Sequence, residues 1–183
     1  MLMIVDTLMA RFASRSISPE PLVQKVIDDL VEAIRLTPSC YNNQPWRYIF
    51  LHTAEGLAKA KDFMVPYNYV WASKAPLIVI GYTKKDDDCV LKDGRAYHEF
   101  DLGMATMNLM LAATAHNLVA RPMAGFKPDL IETMFELPEG CKALIVLAIG
   151  KYSADESHLP EKLRGANSQP RVRKAASEII RFV

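Results

Sequence analysis

Pro38-Ser39-Cys40-Tyr41-Asn42-Asn43-Gln44-Pro45-Trp46 stands between a helical pattern and a strand pattern, and its nine residues combine a hydroxyl, side-chain amides, two prolines and an aromatic ring. Such a segment is a rigid polar loop. It can present hydrogen-bonding groups in fixed directions, as the edges of a flat heteroaromatic ligand require.

Working upstream, Leu2 to Ala13 is apolar at Leu2, Val5, Leu8, Met9 and Phe12, a helical spacing. Ser18-Pro19-Glu20-Pro21 reads as the opening of the next helix, with Ser18 as N-cap and Pro19 at the first helical position. Val23, Val26, Ile27, Leu30, Ile34 and Leu36 form its buried stripe. Downstream, Trp46 to Leu51 is rich in aromatic and branched residues and predicts a strand. A helix over Ala54 to Met64 follows, then an aromatic loop from Pro66 to Trp71. Ala75 to Tyr82 and Ala143 to Ile149 are continuous apolar runs that suit interior strands covered on both faces. Between them Tyr97 to Asn117 predicts a long buried helix and Pro128 to Phe135 a shorter one. Ala175 to Phe182 fits a helix or a strand, and Ser153 to Pro170 reads as a surface loop.

The chain has 183 residues, half of them apolar, enough for a sizeable core and read as one domain over 1–183. Its 22 basic and 21 acidic side chains leave a net charge of +1, so no broad field attracts nucleic acid or an anionic membrane. Cys40, Cys89 and Cys141 are odd in number and lack zinc-site spacing, which predicts reduced thiols in a cytoplasmic protein and no metal site. Met1 to Met9 carries Asp6 and is followed by Arg11 and Arg15, the wrong charge order for a secretory signal. The apolar run from Leu102 to Ala115 is broken by Gly103, Thr106, Asn108 and Thr114 and falls short of the ~20 residues a spanning helix needs.

Arg11 and Arg15 lie four apart and share a face if the helix continues to Arg15. Arg171 and Arg173, two apart in an extended segment, also share a side. Together they form a dianionic phosphate site if the fold joins the chain ends, or they are solvated surface charges. Asn68 among Tyr67, Tyr69 and Trp71 offers an amide to a ligand edge or serves a turn. Gly125, in Pro122-Met123-Ala124-Gly125-Phe126, exposes a backbone N–H or makes a bend. Cys40 beside Ser39 invites a nucleophile reading with His52, His98, His116 or His158 as base. Asp86-Asp87-Asp88 reads as a solvated turn, and GxGxxG and GxxxxGK[ST] are absent.

In order and spacing these segments resemble the FMN-dependent nitroreductase family over almost the whole chain. Pro38 to Arg47 is similar to that family's P-S-x-x-N-x-Q-P-W segment. The N-terminal basic cluster agrees, as do Asn68 seven residues before Ala75-Pro76, the D-x-G-x-A of Asp101, Gly103 and Ala105, the Gly125-Phe126 pair and the closing R-x-R of Arg171 and Arg173. The resemblance implies an α+β fold with a mainly antiparallel sheet flanked by helices, assembled as an intertwined homodimer around a central interface helix. It implies FMN as cofactor, NADH or NADPH as reductant, and a small-molecule electron acceptor such as a nitroaromatic or quinone.

By that resemblance Arg11, Ala13, Arg15, Arg171 and Arg173 surround the FMN phosphate, and Asn68 pairs with the pyrimidine edge of the isoalloxazine. Ala124 and Gly125 bring a backbone N–H to flavin N5, so no side chain acts as catalytic acid, base or nucleophile. Pro38, Ser39 and Asn42 reach the flavin from the partner subunit, while Gln44 supports the loop or the ribityl chain. The sequence departs from the family at Ala13, where serine is usual, and at His116-Asn117, where Gly-Leu is common. Asn117 suits the left-handed end of a helix. Two other readings stand beside this one: an FMN-binding sensor or storage module without significant turnover, and a thiol enzyme using Cys40.

Overall fold

The computed structural model describes residues 4–165 and 171–183. Its sheet has four strands in the order β1-β2-β4-β3, every neighbouring pair antiparallel. The two long apolar runs are its central strands, β2 (Leu77–Lys84) and β4 (Cys141–Lys151), while β1 (Trp46–Leu51) and β3 (Leu118–Met123) are the edges. Alternation along β2 sends Ile78 and Ile80 to one face and Leu77 and Val79 to the other, and both sets are fully buried. A strand buried on both faces has no polar alternation to show, which is why these runs read as continuous.

One face is covered by α2 (Gln24–Arg35), through Leu30 and Ile34, and by the long α6 (His98–Ala115), through Leu102, Ala105, Leu109 and Ala113. The other holds the short helices α3 (Ala54–Ala58), α4 (Ala60–Phe63), α5 (Pro66–Ala72) and α7 (Pro128–Met134), with Phe63, Trp71 and Ile131 in the core. The result is the α+β arrangement expected. Helix α1 (Ile4–Ala10) lies against α6, and α8 (Ala176–Ile179) is a single turn near the C-terminus.

Several local expectations change. The first helix stops at Ala10 rather than running to Ala13, because the chain must become extended: Ile17 forms a bridge with Tyr152 and Ser18 N–H donates to Lys151. Arg11 and Arg15 therefore do not share a helical face. The second helix opens at Gln24, after Val23, not at Ser18. Pro21 disfavours a helical Glu20, so the turn nucleates beyond it. Pro66 to Trp71 is the helix α5, not a loop, with Pro66 in its first turn and Trp71 buried. Edge strand β3 escapes the apolar-run reading because Arg121 and Pro122 interrupt it; an edge tolerates that proline. Asp88 is buried while Asp86 and Asp87 are exposed, so the acidic run is only in part a solvated turn. Asn117 is left-handed (φ 57°) at the end of α6, as expected. The part of the C-terminal loop reading that covers 166–170 lies outside the described residues.

The thiol expectation is overturned. Cys40 and Cys89 form a disulfide, with Cα atoms 6.2 Å apart, and only Cys141 is a free cysteine, buried in the start of β4. Spacing in sequence carries no information about a pair 49 residues apart. The bond removes Cys40 as a nucleophile and with it the thiol-enzyme reading. It also removes the argument from thiol state to a reducing compartment.

Candidate functional site

Asn68 sits in the first turns of α5, buried, and its Nδ2 donates to the carbonyl of Gly125 at 3.0 Å. The same carbonyl accepts from Val65 N–H. A Cβ at Gly125 would stand 2.5 Å from Asn68 Nδ2 and 2.8 Å from Val65 Cγ2, so the close approach itself demands glycine. Among the described residues the N–H of Gly125 meets no acceptor. Ala124 is the residue before it, at the exit of β3, and its carbonyl accepts from Phe126 N–H.

Arg15 joins this corner. Its guanidinium carbon lies 5.8 Å from the ring centroid of Tyr67, the residue before Asn68. Arg121 of β3 stacks 5.4 Å over Trp71 and donates from Nη1 to the carbonyl of Ala13 at 2.6 Å. Burial, and then the charge of Arg15, push the Arg121 guanidinium below the ordinary arginine range. Lys162 places a third cation 5.3 Å over Tyr67. Arg15 Nε and Trp71 Nε1 are buried donors without an acceptor among the described residues. Cations with no carboxylate ion-paired to them among the described residues, beside orphaned donors, fit a ligand rich in acceptors and negative charge. The sequence names Tyr67 only as an aromatic neighbour of Asn68 and does not single out Arg121 or Lys162; for Arg121 a lone arginine in an otherwise apolar strand is the available signal.

Arg11, Arg171 and Arg173 form a second group. They border a cavity of about 510 Å³ together with Val5, Leu8 and Met9 of α1 and Met107 and Met110 of α6. Burial, Arg171 and Arg173, in that order, hold the Arg11 guanidinium below its ordinary range. Arg171 is already engaged: it donates to the carbonyls of Leu8 (3.1 Å), Met9 (3.2 Å) and Arg11, closing the C-terminus of α1. Among the described residues Arg173 bonds only the neighbouring Val172 carbonyl. The chain ends thus meet, yet the four arginines divide, with Arg15 on the Asn68 side.

The Pro38 to Trp46 loop makes a third group, whose side-chain hydrogen bonds go to Asp88, Asp101, Thr83 and Arg47 rather than to the other two. Ser39 Oγ accepts from Gln44 N–H at 2.8 Å, and Gln44 Nε2 donates to both the carbonyl and the side chain of Asn42. Tyr41, Asn42 and Gln44 are all left-handed, at φ 48°, 59° and 50°. The loop borders a cavity of about 450 Å³ that it shares with Tyr97, Phe100, Asp101 and Met104 at the start of α6. Asp101 is buried and accepts from Cys40 N–H at 2.8 Å. Burial above all, and then nearby Asp88, push its carboxyl above the usual range.

The outward side of α6 is apolar and open: Phe100 is 60% exposed, and Gly103, Met107 and Met110 line a cavity of about 470 Å³ with Pro122, Leu144 and Ile145. No helix of the described residues is long and apolar enough to cross a membrane.

The model of the nitroreductase family matches residues 8–68 and 63–151. The major NAD(P)H-flavin oxidoreductase of Aliivibrio fischeri is 23% identical over 97% of both chains. The oxygen-insensitive NAD(P)H nitroreductase of Salmonella typhimurium is 21% identical over 84% of this chain and 90% of its own. A crystal structure of an oxidoreductase containing FMN superposes with a TM-score of 0.85 at 24% identity, covering 97% of this chain and 91% of that one.

Proposed function

The chain belongs to the nitroreductase family, and from that premise we propose that it is an FMN-dependent oxidoreductase that takes hydride from NADH or NADPH and reduces an electron-poor small molecule. The observation that carries the reading is the Asn68 to Gly125 contact flanked by Arg15 and Arg121: an interlocked amide, an unspent backbone N–H and uncompensated cations in one corner. Bound there, FMN supplies hydride acceptance at N5 and return of electrons to the acceptor from the same face, which gives ping-pong kinetics.

The residues divide that work by chemistry. Asn68 is fixed through Nδ2 and keeps Oδ1 for a ring N–H, while Gly125 offers its N–H to the acceptor atom of the reacting ring. Arg15 and Arg121 place positive charge where negative charge accumulates on reduction. Arg11 and Arg173 hold the phosphate, with Arg171 fixing the α1 terminus that carries Arg11 beside them. Ala13 contributes no hydroxyl, and its carbonyl is spent on Arg121. Pro38, Ser39 and Asn42 approach from a second copy of the chain, and Gln44 keeps Asn42 in place. The open apolar side of α6, with the exposed Ile4, Val5 and Met9, is the surface that such a homodimer covers. On this reading the whole chain is one flavin-binding domain working in the cytoplasm, where NAD(P)H is made.

The test is the visible spectrum of the purified protein followed by anaerobic titration. Bound flavin that NADH or NADPH bleaches, and that a nitroaromatic or quinone re-oxidises catalytically, supports the proposal. Flavin that is bound but bleached only by dithionite points to the storage or sensor alternative, and a protein that neither carries nor takes up FMN overturns both.

A further inference from the structure

The Pro38 to Trp46 loop is fastened at four points to the stretch that runs from the end of β2 into the first turn of α6. Thr83 Oγ1 donates to the Pro45 carbonyl at 3.0 Å, Asn43 Nδ2 to Asp88 Oδ1 at 3.2 Å, and Cys40 N–H to Asp101 Oδ2 at 2.8 Å. The fourth is the Cys40–Cys89 bond, the covalent one. Between these anchors three non-glycine residues, Tyr41, Asn42 and Gln44, hold left-handed backbone. Such conformations persist only where surrounding structure over-determines them. Removing one anchor lets the backbone relax toward ordinary conformations. Both cysteines are half-buried, and Cys40 lies in the wall of the open cavity beside Tyr97 and Phe100, within reach of a small reductant.

We propose that Cys40–Cys89 is a redox latch on this loop: a dithiol reductant opens it and lowers flavin affinity, and oxidation closes it and restores affinity. In the opening step a thiolate of the reductant attacks one sulfur and forms a mixed disulfide. The other cysteine leaves as a thiolate and takes a proton. The second thiol of the reductant then closes its own disulfide, releasing the first cysteine as a thiol. Two electrons and two protons pass from the dithiol to the cysteine pair. Asp88 and Asp101 face the pair with Asn43 and the Cys40 N–H, and no cation is ion-paired with either carboxyl among the described residues. Anionic surroundings disfavour the thiolate that closure needs; a cysteine thiolate attacks an oxidant such as oxidised glutathione, the second cysteine then displaces glutathione from the mixed disulfide, and two glutathione thiols leave as the bond closes.

The latch rests on the loop geometry; its effect on flavin rests on the proposed function, and the experiment separates the two. The protein is equilibrated with dithiothreitol or with oxidised glutathione, its thiols are counted by mass after alkylation, and its FMN affinity and the hydrogen exchange of amides 39–44 are measured. The Cys89→Ser variant serves as the permanently open form. The expected result, with alkylation in denaturant, is one thiol when oxidised, the buried Cys141, and three when reduced, with faster loop exchange in the native protein on reduction. If opening leaves about a tenth of the loops competent, the Kd for FMN rises about ten-fold, and Cys89→Ser shows the weak value in both buffers. Loop exchange and FMN affinity unchanged by reduction overturn the latch, as does a pair that stays reduced in oxidised glutathione. If no FMN binds in either state the proposed function fails, and loop exchange alone then decides for or against the latch.

Discussion

The corner where Asn68 meets Gly125 and the loop from Pro38 to Trp46 reach fixed geometry by opposite routes. The corner is set by packing: Trp71, Phe63 and Met64 are fully buried around it, and a glycine stands where no side chain has room. The loop is half exposed, carries left-handed backbone on residues with side chains, and is held by hydrogen bonds and a disulfide. Packing gives a geometry that changes little with conditions, whereas a fastened loop can be released. In a redox enzyme the first suits the face where electrons move and the second suits control.

Glycine substitutions in opposite directions test that contrast. Gly125→Ala adds a methyl against Asn68 and Val65, and overpacking of this kind costs about 1–3 kcal/mol, so we expect a lower Tm together with loss of FMN retention. A variant as stable and as yellow as the wild type would show that the corner is not packed as described. Tyr41→Gly removes a side chain that is 83% exposed and relieves a left-handed φ. Relief of roughly 1–2 kcal/mol against a larger unfolded-state entropy leaves a gain of about 0.5–1 kcal/mol in denaturant unfolding. A loss of stability there would mean that the loop is set by packing of the Tyr41 ring after all.

The smallest expected effect is electrostatic. Asp101 has its folded-state pKa raised by burial and by Asp88, so ionising it opposes folding above that pKa, and the penalty disappears as pH falls through it. Asp101→Asn keeps an acceptor for the Cys40 N–H without the charge. Its stability relative to the wild type should therefore rise as pH climbs from the ordinary aspartate value to the raised folded-state one and level off above it, read from paired thermal melts. A difference independent of pH would place the Asp101 charge outside the balance.

What was legible in the sequence follows the same division. The central strands announced themselves because burial on both faces leaves unbroken apolar runs, and the Asn68, Gly125 and terminal arginine motifs could be recognised in order. Helix α5 was hidden because Pro66 and a dense aromatic run look like a loop until Trp71 is seen to be core. The split of Arg15 from Arg11 depended on the chain leaving the helix at Ala10 to bridge Ile17 with Tyr152, a tertiary demand that periodicity does not carry. Arg121 needed the three-dimensional neighbourhood of Ala13 and Trp71 to acquire meaning. The Cys40–Cys89 pairing had no sequence signal at all.

The central claim is that corner and loop complete one flavin site only across two copies of the chain. Differently tagged Gly125→Ala and Ser39→Trp protomers, co-expressed and purified as mixed dimers, test it by their flavin content. Each homodimer of a single variant should be free of flavin, while the mixed dimer should recover one FMN per dimer, because one of its two sites joins an intact corner to an intact loop. Mixed dimers without flavin, from variants that each fold and pair, would contradict the account.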